Sequence, residues 1–97
     1  MLIGALRLEL QIPHAHSLKE KRSPLKSLLA QIENRFHCAV AEVAYHDLHQ
    51  RTAVAAVVVG VEGKIVAQRL QAIRRFAENQ PDMIVIDARE RIWDGDE

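Results

Sequence analysis

One cysteine, two phenylalanines, one tyrosine, one tryptophan and no net charge set the first limits on this 97-residue chain. A lone Cys38 excludes an intramolecular disulfide framework and a cysteine-cluster zinc site. It also excludes a Cys-x-x-Cys loop for a soft metal. No apolar run approaches the roughly 18–20 residues of a membrane-spanning helix. The start, Met1 to Arg7, has no basic segment ahead of its apolar stretch, which argues against a secretory signal. A reduced, cytoplasmic location is the resulting expectation, with no membrane partner. Thirteen basic residues balance thirteen acidic ones, so the chain as a whole is not a strongly basic nucleic-acid binder.

What is present suits one globular domain. Hydrophobic residues make up 48% and charged residues 27%, the profile of an ordinary core with a solvated surface. The charge is unevenly spread. Residues 1–37 hold six basic and three acidic groups, whereas residues 82–97 hold two basic and six acidic. The expected domain is 1–93, with 94–97 an acidic, frayed C-terminal tail.

Periodicity supplies the elements. Leu2, Leu6, Leu8, Leu10 and Ile12 alternate with Arg7, Glu9 and Gln11, a half-buried strand that Pro13 stops. Ser17-Leu18-Lys19-Glu20 is a capping box. Leu18, Leu25, Leu28, Leu29, Ile32 and Phe36 then trace one helical face. Pro24 leaves two readings, a helix kinked near residue 23 or one that begins there. Residues 38–45 and 52–61 read as strands joined by the polar run 46–51, and the second is apolar on both faces. Val66, Leu70, Ile73 and Ala77 mark a helix over 64–78, closed by Asn79-Gln80-Pro81. A last strand covers about 83–93, with Ile84, Ile86, Ala88 and Ile92 sharing one parity.

The order β-α-β-β-α-β, with right-handed crossovers, is the ferredoxin-like α+β sandwich. Two helices would cover one face of a four-stranded antiparallel sheet, and the first and third strands would be central. That fold hosts many unrelated functions, so the site must decide.

RNA recognition domains of this topology stack bases on aromatics of the central strands. Residues 2–12 and 52–61 contain none, so that platform is absent. Tyr45 and Trp93 fall on edge strands as half-buried anchors, and Cys38 reads as an inert thiol. The pairs His14/His16 and His46/His49 resemble metal ligands, but zinc needs three or four converging donors. The two loops are expected at poorly matched edges, so no metal and no cofactor is assigned. Spacing shows no nucleophile within reach of His46, Asp47 or His49, and the chain reads as non-enzymatic. Gly60-Val61-Glu62-Gly63 is a turn and helix start rather than a phosphate clamp. The remaining feature is basic. Lys19, Lys21, Arg22 and Lys26 fall within eight residues, and Lys19, Arg22 and Lys26 share a helical face. Such a patch can hold phosphates without reading sequence, with Arg74 and Arg75 candidates to extend it.

The run Ser17-Leu18-Lys19-Glu20-Lys21-Arg22, with Arg35-Phe36, Ala41-Glu42-Val43 and Asp47-Leu48-His49-Gln50-Arg51, resembles the YlxP-like family of small bacterial proteins of unknown function. The likeness runs from about Leu2 to Trp93. It implies a ferredoxin-like fold and, through genes that neighbour translation and ribosome-maturation factors, a link to RNA or the ribosome. It implies no catalytic residue. His49 stands where many relatives carry Trp, and Pro24 where a helix former is usual.

Two expectations follow. In the first, Lys19, Lys21, Arg22 and Lys26 contact phosphates of ribosomal RNA or a ribosomal particle. Asp47, Gln50 and Arg51 shape a partner-binding loop or lock the hairpin, with Asp47 accepting from loop amides and Arg51 pairing with an acid. In the second, an open apolar sheet face makes the protein a homodimer or higher oligomer with a regulatory, ligand-sensing role. A small hydrolase using the histidine-rich loops is a weaker third.

Overall fold

The computed structural model describes residues 1–97. It comprises β1 (Leu2–Gln11), α1 (Leu18–Phe36), β2 (Ala39–Ala44), β3 (Arg51–Gly60), α2 (Gly63–Glu78) and β4 (Ile84–Asp94). The sheet order is β2-β3-β1-β4, antiparallel throughout. β1 and β3 are therefore central, and the split β-α-β arrangement expected from the sequence is the one observed.

The even residues of β1 and β3 turn toward the helices. Leu6, Leu8, Leu10, Val54, Ala56 and Val58 are all at most 3% exposed. They meet Val66, Leu70, Ile73 and Ala77 of α2 and Leu25, Leu28 and Ile32 of α1 in one core. α2 approaches β1 closely at Gly4, where an added Cβ would stand 2.5 Å from Val66 Cγ1 and 3.0 Å from Leu70 Cδ1. Phe36 and Phe76 close the far end of the helix pair edge to face, with centroids 5.8 Å apart.

Several expectations change. α1 begins at Ser17, not Ser23. The Ser17 hydroxyl accepts from Glu20 N–H at 3.0 Å, and Glu20 Oε1 accepts from His16 N–H at 3.3 Å. Pro24 lies inside the continuous helix, so the Glu20 carbonyl lacks its i+4 donor. Leu18 is 45% exposed rather than core. In β4, the register against β1 slips by one residue at Ile86. This bulge reverses the alternation. Val85, Ala88 and Ile92 pack on the core, while Ile84 and Ile86 are exposed, against the single parity expected. A second bulge at Val43 turns β2.

The tail is tied rather than loose. Gly95 N–H donates to Met1 O at 2.9 Å, and Asp96 meets the Met1 amino group. No helix is long and apolar enough to cross a membrane.

Candidate functional site

Gln11 pairs with Arg51, so β1 ends where β3 begins. The loops 12–17 and 45–50 are therefore neighbours, contrary to the expected poor match. Ile12 N–H donates to Gln50 O at 2.9 Å, and Gln50 Nε2 donates to Pro13 O at 3.4 Å. The amino end of α1 joins them. This loop end of the sheet gathers His14, His16, His46 and His49, all exposed. No three His, Cys, Asp or Glu side chains come together there as metal donors.

Lys21 organises the loop end from within. It was expected to meet phosphate, but the residue is only 3% exposed. Its ammonium donates to Tyr45 O, to Leu48 O and to Glu42 Oε2, each at 2.8 Å. Those three bonds use every donor of the group, so no phosphate contact remains open to it. The signal was in the sequence. Lys21, Leu25, Leu28 and Ile32 step by four, three and four, which puts the lysine on the buried stripe. Glu42 also accepts from Thr52 Oγ1 at 2.7 Å and faces His46 Nε2 at 3.7 Å. Burial pushes the Glu42 carboxyl up, but the bonds from Lys21 and Thr52 outweigh it and hold its pKa low.

The ammonium holds a strained turn. Tyr45 has φ +65°, a left-handed conformation rare for a bulky side chain. Its carbonyl accepts from both Lys21 and Leu48 N–H, the latter at 3.1 Å.

On the open sheet face, the Tyr45 hydroxyl donates to Glu9 at 3.2 Å. Arg7 and Arg51 grip the same carboxylate at 2.8 and 2.7 Å, and the Arg51 guanidinium lies 5.0 Å from the Tyr45 ring centroid. Hydrogen bonds from Arg7 and then Arg51 pull the Glu9 pKa down to about 2. Arg51 thus pairs with an acid, as expected, and Gln50 locks the neighbouring loop. Asp47 does not accept from loop amides; it is exposed, like Leu48 and His49. Sequence reading missed the Arg7–Glu9–Tyr45–Arg51 hub, because only the register shows that Glu9 and Arg51 share a face.

Lys19, Arg22 and Lys26 are exposed on one stripe of α1. None pairs with a carboxylate in the chain, whereas Arg74 is engaged by Glu78 at 3.5 Å. Arg22 also borders a small cleft of about 200 Å3 with Leu18 and His46. Cys38 is half-buried, and burial pushes its thiol pKa up, as suits an unreactive group.

These elements define a ferredoxin-like α+β domain in which the 17–22 run, Glu42 and the 47–51 segment meet at one end of the sheet, while Arg35 and Phe36 lie at the other end of α1. The chain belongs to the family of proteins of unknown function DUF503, whose sequence pattern matches residues 3–90. It is similar to the uncharacterized protein YlxP of Bacillus subtilis (strain 168), with 33% identity over 82 residues, 84% of this chain and 89% of that protein. Among solved structures, the de novo designed protein Ferredog-Diesel superposes with a TM-score of 0.42 at 11% identity, covering 95% of this chain and 84% of that one.

Proposed function

We propose that the protein is a non-enzymatic, cytoplasmic adaptor that contacts RNA, and through it the ribosome or a ribosomal particle. One observation carries this reading. Lys19, Arg22 and Lys26 form an exposed stripe with no acid partner in the chain. Lys19, in the first turn of α1, opposes the helix macrodipole by about 0.3–1 kcal/mol, so that end of the stripe does not serve helix stability. The resemblance to a family whose genes neighbour translation factors supplies the ribosomal direction. The adjoining loop 46–49, held by Lys21, Gln50 and Arg51, would give the partner a preshaped edge.

Co-sedimentation with ribosomal subunits across a salt series tests the reading. Binding should fall steeply with salt, since phosphate contacts release counterions. The triple variant Lys19→Gln, Arg22→Gln, Lys26→Gln should abolish it while the protein stays folded. Unchanged binding and salt slope in that variant would overturn the proposal.

A second reading rests on the sheet face away from the helices. Val57 and Val59 on the central strand β3 are 36% and 57% exposed, beside Ala5 and Ala55 on neighbouring register positions. A second copy stacked there would make the homo-oligomeric, ligand-sensing module. A strictly monomeric mass at tens of micromolar would remove this reading.

A further inference from the structure

The first half of α1 carries a second stripe, on the flank beside the basic one. Ser23, Ser27 and Gln31 follow at steps of four, with Glu20 and Pro24 on the same side. This stripe faces the loop after α2 across a cleft of about 590 Å3, within the size range of small-molecule sites. Its floor is apolar, from Ile12, Ala15 and Met83, each at most 6% exposed.

The fixed charge of the lining is one-sided, while His14, Ser23 and Ser27 add neutral groups that can both donate and accept. Glu20 stands on one wall and Asp82 on the other, and no lysine or arginine lines the cleft. Neither carboxylate belongs to any ion pair of the chain. Two glutamines flank them, and each commits one amide N–H within the chain. Gln31 Nε2 donates to Ser27 Oγ at 2.9 Å, and Gln80 Nε2 donates to Phe76 O at 3.2 Å. Each amide retains its carbonyl oxygen as an acceptor and one N–H as a donor.

We propose that this cleft binds a small organic cation, an alkyl di- or polyamine, with its ammonium groups on Glu20 and Asp82 and its methylene chain over Ile12, Ala15 and Met83. Ammonium groups carry positive charge and three donors, the complement of the two unpaired carboxylates. The methylenes match the floor, which a hydrated metal ion would not. An anion or a neutral diol would leave the two carboxylates unneutralised. The site is separate from the basic stripe and stands whether or not that stripe meets RNA.

Calorimetry and amide NMR on the full chain, with spermidine as the probe at roughly 0.15 M salt, test the proposal. Saturable binding is expected, with shifts confined to residues 12–15, 20–31 and 80–83. Asp82→Asn should weaken it about tenfold, the loss of one charge-assisted contact. Glu20→Gln should do likewise, and Asp82→Asn, being outside any helix, decides the matter if Glu20→Gln disturbs the cap. Magnesium chloride and 1,8-octanediol should leave those residues unmoved. Shifts centred on Asp94–Glu97, an equal response to magnesium, absence of saturation, or undiminished binding to Asp82→Asn would each overturn it.

Discussion

Lys21 Nζ stands 2.8 Å from Glu42 Oε2, with 4% and 15% of the two side chains exposed. The bond joins the Ser-Leu-Lys-Glu-Lys-Arg run of α1 to the Ala-Glu-Val segment of β2. Through Tyr45 O and Leu48 O it also reaches the Asp-Leu-His-Gln-Arg segment. Three separate stretches are thus one structural device that shapes the loop.

Removing one member of such a pair strands the other. Lys21→Met leaves Glu42 without its cation and the Tyr45 turn without its clamp. A loss of about 3–5 kcal/mol is expected, read from urea unfolding. Lys21→Met with Glu42→Gln should cost less than the two single changes added together. In any variant that stays folded, amide exchange should quicken first over residues 45–50.

Acid should act through Glu9. Its folded pKa, about 2, lies below the ordinary carboxylate value of roughly 4.3. A depressed pKa contributes stability that is present above the unfolded value and lost as pH falls through the folded one. Stability should therefore decline between about pH 4.5 and 2. Glu9→Gln should flatten that limb in denaturation curves taken across this range. An unchanged slope would show that the Arg7–Glu9–Arg51 hub carries no pH dependence.

Gly4 is a packing requirement. A Cβ there meets Val66 at 2.5 Å, Leu70 at 3.0 Å and Val58 at 3.3 Å, so α2 must retreat from β1. Gly4→Ala should destabilise by about 1–3 kcal/mol, measurable as a shift in the urea midpoint without a change in slope.

Pro24 works in the opposite direction. An interior proline costs a helix up to about 3 kcal/mol, and Pro24→Ala restores the donor to the Glu20 carbonyl. Thermal unfolding should rise by a few degrees, the equivalent of about 1 kcal/mol.

The topology was legible because its signals are periodic. Alternation in β1, the heptad-like spacing in α2 and the punctuation at Pro13 and Pro81 needed no tertiary information. The parity of β4 was not legible, since the bulge at Ile86 is set by pairing with β1. Lys21 was misread because charge was weighed above angular position. The adjacency of the histidine loops follows from antiparallel pairing of β1 with β3, a consequence of the fold already deduced. The Glu9 hub and the cleft between Glu20 and Asp82 arise from side chains on separate elements. No local pattern announces either.

Met1 and Gly95 are hydrogen-bonded neighbours, and both lie at the start of β1, away from the loop end. Ten strand residues at about 3.3 Å each separate the two poles by roughly 30 Å. A tag or surface attachment at either terminus would therefore hold the molecule by the same pole. The loops 12–17 and 45–50 and the amino end of α1 would point into solution. A short linker could also join the two termini, allowing the chain to be reopened at an exposed loop with the sheet order preserved.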